Sequence, residues 1–465
     1  MKPSPNREKW VLGGTLYLQG SGRSASPSAL KAHLRIVNGK IDAITKKAPT
    51  RFPKGVEKID ATGLTILPGF VQAHVHLCQT LFRNLADDLE LLDWLANRIW
   101  PMEAAHTEET LRASALLGIH ELLSSGTTCI LDMGTVRHTE SIFEVVRKTG
   151  IRASVGKCLM DHPETTPTDL REPTRDALAE ARALYERWNG TENDRIRVSY
   201  APRFVISCTE QLLTEVARLA REQKALIHTH ASENLKEIQL VKKLVDCENI
   251  EYLHQLGMTS ERLVLAHCIW LKPNEKRILA RSGTHVVHCP SSNMKLASGL
   301  AHIPDLRARG VNVALGADGA PCNNNLDQFR EMRMAALLHK PGAGPKAMRA
   351  QEVLDMATRA GARALGWWDD IGSIEIGKKA DLIALDLNTP TNAVPAGHEQ
   401  DPEAIASSVV YSSSPAHLSW TMVDGRVLFK HGKVRGIPAG PLMEKVRRAQ
   451  TEIARSIAKK RGGVG

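Results

Sequence analysis

Between residues 67 and 316 the chain alternates eight short apolar runs with longer segments of helical period. The runs are 67–73, 128–131, 151–155, 196–200, 225–229, 263–266, 285–288 and 311–316. Segments such as 107–124, 141–149, 175–188, 210–222 and 234–244 separate them, with apolar residues recurring every three or four positions. A strand that is followed by a helix returns to the same sheet in parallel. Eight such units predict a (β/α)8 TIM-like barrel. An open doubly wound sheet competes with it, but no glycine-rich phosphate loop follows any run.

The flanks read differently. Residues 10–68 and 370–435 hold short strands and tight turns. Asn38-Gly39, between 33–37 and 41–44, is a two-residue hairpin signal, and Asp424-Gly425 is another. The two chain ends are expected to pair into one small β-sandwich domain. The expected organisation is therefore 1–66 as its N-terminal part, 67–370 as the barrel and 371–436 as its C-terminal part. Residues 437–465 follow as a terminal helix and tail, with 440–461 basic and amphipathic and 461–465 frayed.

Composition narrows the class. No apolar run nears the ~20 residues that cross a bilayer, and the opening residues 1–9 are polar. Eight scattered cysteines with no Cys-x-x-Cys pair fit reduced thiols, so a cytoplasmic location is expected. The net charge of +10 is uneven: residues 1–60 carry +8, residues 425–465 carry +9, and the centre is acidic. A basic groove for nucleic acid in the main domain is therefore not expected, nor is a membrane partner. A small-molecule substrate and self-association into a homo-oligomer are.

Reactive residues of a barrel sit at strand C-terminal ends. The first run ends in His74-x-His76, the fifth in His228-x-His230 with Glu233 beyond, the sixth in His267 and the eighth in Asp318. Residues two apart on a strand face one way, so His74 and His76 converge. Three imidazoles from this set with one carboxylate suit one divalent ion, Zn²⁺ first, with Fe²⁺ or Mn²⁺ as alternatives. Such an ion lowers the pKa of bound water to about 7. Asp318 can accept a proton from that water, Glu233 can shuttle protons to a leaving group, and His267 can orient water or substrate. This set equips the chain for metal-assisted hydrolysis of a C–N bond.

With these residues in place, the chain resembles the amidohydrolase superfamily. The likeness runs through Pro68-Gly69-Phe70, His74-x-His76, His230-x-x-Glu233, Ala266-His267, Gly316-x-Asp318-Gly319 and the returning tail from Gly372 to Leu382. No barrel lysine is placed to bridge two metals, which implies a one-metal site. Longer strings resemble the 5-methylthioadenosine/S-adenosylhomocysteine deaminases. They are Gln79-Thr80-Leu81-Phe82-Arg83-Asn84, the run from His288 to Gly299, and Asp318-Gly319-Ala320-x-x-Asn323-Asn324. The resemblance implies that His74, His76, His230 and Asp318 bind the metal, that Glu233 protonates a purine ring nitrogen and helps ammonia leave, and that His267 holds the hydrolytic water. It implies that Trp94 covers the nucleoside and that Glu103 accepts from ribose hydroxyls, roles that a flat indole and a bidentate carboxylate can fill.

One stretch departs from that pattern. Ala201-Pro202-Arg203-Phe204 resembles guanine deaminases, in which this arginine contacts the base, and a structural ion pair is the other reading of Arg203. Lys157 is a candidate for a substrate carboxylate, while His228, His288 and Asn293 are neighbours of the pocket. The sequence thus points to an adenosine-type nucleoside deaminase. A guanine, triazine or other amino-heterocycle deaminase is the alternative with the same metal site. A non-catalytic barrel scaffold or nucleic-acid-binding protein is the alternative of another class.

Overall fold

A computed structural model describes residues 8–20 and 26–462. Residues 463–465 of the tail expected to fray, and residues 1–7 of the polar opening stretch, lie outside that range. The chain divides into two compact units. One comprises Met1–Val71, Leu122–Cys129 and Asp327–Gly436, the other Gln72–Glu121, Ile130–Leu326 and Ile437–Gly465. Every candidate site residue belongs to the second.

The first strands are β1 (Glu8–Leu18), β2 (Ser28–Val37), β3 (Lys40–Thr45), β4 (Glu57–Asp60) and β5 (Thr65–Pro68). Asn38 and Gly39 link β2 to β3 with φ of 51° and 80°. Two positive φ values make the type I′ turn that matches the strand twist.

The barrel strands follow as β6 (Phe70–Val75), β7 (Thr127–Met133), β8 (Arg152–Leu159), β9 (Ile196–Pro202), β10 (Leu226–Ala231), β11 (Leu263–His267), β12 (His285–His288) and β13 (Val313–Leu315). They form one eight-stranded sheet in sequence order. Between them lie helices including Glu140–Thr149, Thr174–Trp188, Glu210–Gln223, Leu235–Val245 and Pro273–Ser282. Nearly every residue of the barrel strands is buried, so both sheet faces are covered and the strands read as unbroken apolar runs. A parallel bridge from Val75 to Asp318 joins the last strand to the first. Gly316 permits that approach, since a Cβ there would lie 2.7 Å from the His74 carbonyl oxygen.

The run expected from residue 67 divides at Gly69. Thr65–Pro68 pairs with β1 as β5, and the barrel strand starts at Phe70. Pro68 cannot donate to a ladder, and at Gly69 the chain passes so close to Thr128 that a Cβ would lie 2.2 Å from its side chain.

The closing strands are β14 (Leu382–Leu385), β15 (Asn388–Thr389), β16 (Asn392–Ala393), β17 (Leu418–Val423), β18 (Arg426–Lys430) and β19 (Lys433–Val434). Both chain ends join in a nine-stranded sheet ordered β19-β18-β17-β14-β5-β1-β2-β3, with β4 beside β1. Leu16, Leu34, Ile36, Ile66, Leu382 and Trp420 are among the residues of its core. The basic helix runs from Ala439 to Gly462. All eight cysteines are free, and seven are buried. No helix among the described residues is long and apolar enough to cross a membrane.

Candidate active site

His74 and His76 project together from the end of β6, and His230, His267 and Asp318 meet them from β10, from β11 and from just beyond β13. The Nε2 atoms of His76 and His230 lie 3.2 Å apart. Asp318 Oδ1 lies 3.3 Å from His74 Nε2 and 3.4 Å from His76 Nε2. The ligand atoms of His74, His230, His267 and Asp318 all lie within 4.8 Å of one another, while His76 joins through its two close approaches.

The second ring nitrogens show which way the lone pairs point. His76 Nδ1 donates to the Met133 carbonyl at 3.0 Å, and His230 Nδ1 donates to the Arg203 carbonyl at 2.7 Å. His74 Nδ1 is matched by His228 Nε2 at 2.8 Å. The inward Nε2 atoms of His76 and His230 therefore carry lone pairs, and lone pairs 3.2 Å apart repel unless a cation lies between them. Buried His74 Nε2 has no hydrogen-bond partner. Donors each ~2.1 Å from one ion at tetrahedral angles are ~3.3–3.4 Å apart, which matches these separations. Burial holds His76 down at about 3, and it also lowers His74, His228 and His230. Neutral imidazole is the ligand form, so the residues fit a divalent ion.

Carboxylate chemistry divides in two. Burial works to raise Asp318, but its histidine neighbours, His74 ahead of His267 and His76, hold it well below the usual range. Ser292 Oγ donates to its Oδ2 at 2.6 Å. Glu233 is raised to about 7 by burial, with the proximity of His267 opposing. Its Oε2 lies 3.4 Å from His267 Nε2. One carboxylate thus stays ionised at neutral pH while its neighbour can hold a proton, the division of labour that acid–base catalysis needs.

A narrow cleft opens onto these groups and is lined by Trp94, Leu95, Arg203, Phe204 and Leu296 among others. Trp94 ends the short helix Leu91–Trp94, after which the winding loosens to a π-turn over Leu95–Ile99. Glu103 does not line the cleft. It lies buried behind Arg203, whose Nη1 and Nη2 donate to its two oxygens at 2.6 and 3.3 Å. Gln79 Nε2 donates to the same carboxylate at 2.8 Å. A carboxylate has about four acceptor sites, and these partners fill three of them. Lys157 needs a correction. It is buried and paired with Glu172 and Glu180, each at 2.8 Å, so it meets no substrate carboxylate.

A model of the amidohydrolase family matches residues 65–428. The chain belongs to the amidohydrolase family. It is 40% identical over 426 residues, 91% of this chain and 94% of the relative, to the 5'-deoxyadenosine deaminase of Methanobrevibacter smithii. It is 37% identical over 450 residues, 96% of this chain and 97% of the relative, to the 5-methylthioadenosine/S-adenosylhomocysteine deaminase of Syntrophobacter fumaroxidans. A solved adenosine deaminase from Xanthomonas campestris with bound zinc aligns at a TM-score of 0.86 with 30% identity, covering 96% of this chain and 98% of that one.

This amidohydrolase also uses residues to which the motifs assign no role. Glu237 accepts the backbone N–H groups of Glu233 and Asn234 at 2.7 and 3.3 Å, which sets the strand-to-helix turn that presents Glu233. Asn234-x-x-Glu237 is a capping box, so the signal is legible in the sequence. Asp132 accepts the Leu77 N–H at 2.7 Å and steadies the chain beside His76. No local pattern points to it, because a lone Asp inside an apolar run has no spacing partner.

Proposed function

We propose that the protein is a metal-dependent hydrolase that converts adenosine-type nucleosides to the inosine-type product and ammonia. The substrates intended are 5'-deoxyadenosine, 5'-methylthioadenosine, S-adenosylhomocysteine and adenosine. The observation that carries this reading is the buried, proton-holding Glu233 facing His267 beside the ionised Asp318. The names of the similar deaminases support the substrate class.

His74, His76, His230 and Asp318 would hold the ion, and three imidazoles with one carboxylate favour Zn²⁺. A divalent ion there lowers the pKa of water and supplies a nucleophile at neutral pH. Asp318 accepts one proton from the attacking water as oxygen bonds to purine C6. Glu233 delivers its proton to the adjacent ring nitrogen, and His267 steadies the developing hydroxyl. The hydroxyl proton then returns to Glu233, the C6–N bond breaks, and ammonia leaves with the proton from Asp318. Trp94 lies flat against the nucleoside, and Arg203, held rigid by Glu103, sets the cleft wall. With eight free thiols and a nucleoside substrate, we place the enzyme in the cytoplasm.

A second reading, a deaminase of guanine or another amino-heterocycle, is favoured by one observation, the Arg203 guanidinium in the cleft wall. Ammonia release from a panel of 5'-deoxyadenosine, methylthioadenosine, S-adenosylhomocysteine, adenosine and guanine separates the two. The adenosine-type compounds are expected to give the higher kcat/KM. Turnover of guanine alone would overturn the proposal.

A further inference from the structure

The stretch from His288 to Gly299 stands out in the sequence, and the reaction above assigns it no step. The short helix Pro290–Lys295 starts two residues after β12. Three fully or almost fully buried side chains on or after it each reach a different proton-handling group. Ser292 Oγ donates to Asp318 Oδ2 at 2.6 Å. Asn293 Oδ1 accepts from His267 Nδ1 at 2.8 Å. Ser298 Oγ donates to Glu233 Oε1 at 3.4 Å.

Two of the recipients need such support. His267 and Asp318 have φ of 72° and 63°, left-handed values that a residue with a Cβ holds only where its surroundings over-determine it. The stretch is itself tied down on both sides. Trp270 Nε1, beyond β11, donates to the Ser298 carbonyl at 2.7 Å. Lys295 Nζ donates to the Pro321 carbonyl, beyond β13, at 2.8 Å. It therefore spans the loops after β11, β12 and β13.

We propose that residues 290–298 form one alignment bracket in which Ser292, Asn293 and Ser298 are positioning residues for Asp318, His267 and Glu233. Asn293 fixes the imidazole with a proton on Nδ1 and turns Nε2 toward Glu233 Oε2, 3.4 Å away. Ser292 takes one lone pair of Asp318 Oδ2 and so aims the carboxylate at the histidine cluster. This inference rests on the deaminase reading for the roles of the three recipients, but not for the bracket.

The test compares Asn293→Ala, Ser292→Ala and Ser292→Thr with the parent holoenzyme. It reads kcat and KM for 5'-deoxyadenosine, loss of metal to a chelator, and thermal midpoint. Asn293→Ala is expected to lower kcat about 10- to 100-fold with metal retained, while KM stays within about twofold. Ser292→Ala is expected to lose metal at about tenfold lower chelator concentration, and the hydroxyl of Ser292→Thr restores retention. Parent-like kcat in Asn293→Ala, or equal metal loss in both Ser292 variants, overturns the bracket. So do losses of kcat and KM that merely track the thermal midpoint. If the parent releases no ammonia from any of the four adenosine-type compounds, the deaminase reading fails, and metal retention in the two Ser292 variants still decides the bracket.

Discussion

The metal end of the cleft and its outer wall are built on opposite terms. At the metal end, His74, His76, His230 and Asp318 have outer atoms satisfied by carbonyls, a histidine and a serine, while their inner lone pairs converge unmatched. At the wall, Arg203 and Glu103 satisfy each other, and Gln79 completes the set. The difference teaches that buried polarity has two uses. An unmatched inward set marks where a ligand must bind, whereas a matched pair supplies a rigid surface.

The hardest test of that contrast is His230→Ala. Loss of a ligand should abolish ammonia release and drop bound metal well below one equivalent by elemental analysis, with the fold intact by circular dichroism. A variant that keeps both metal and activity would show that the inward set binds nothing.

Breaking the wall should cost stability instead. Arg203→Met leaves Glu103 buried and unpaired, and about 3–5 kcal/mol should be lost in denaturant unfolding. Adding Glu103→Gln should recover most of it. Equal losses in the single and double variants would mean that the pair is not a unit.

A smaller effect, about 10²-fold in kcat, is expected for Glu233→Gln with metal content unchanged. Near-parent rates would remove Glu233 from the reaction.

The smallest effect is a slope. Burial raises Asp132 from its ordinary 3.8 to about 7. Its folded state therefore binds the proton more tightly than the unfolded chain. Its contribution to stability is fully present below about pH 4 and is lost as pH rises to about 7, by at most about 1.4 kcal/mol per pH unit. Asp132→Asn should flatten that part of the unfolding profile. An unchanged slope would place the titration elsewhere.

The same contrast explains what was legible in the sequence. His74 and His76 could be read because strand period fixes side-chain direction, and the eight strand ends fall on one barrel face. The hairpin at Asn38-Gly39 was legible because only positive φ serves that turn. Wall geometry was not. Trp94 and Glu103 flank a π-turn over Leu95–Ile99, and one loosened turn defeats helical counting. The pairing of Glu103 with Arg203 and of Lys157 with Glu172 and Glu180 joins residues distant in the sequence, which no local pattern encodes. Gly69 hid the division of the first run between two sheets, since both halves are equally apolar.

The central claim is that His74, His76, His230 and Asp318 hold one divalent ion on which turnover depends. Its most direct test is a titration of freshly purified, active protein with a chelator, following bound metal and ammonia release from 5'-deoxyadenosine together. One equivalent of metal per chain is expected at the start, with activity lost in proportion to the metal removed. Full activity in metal-free protein would contradict it.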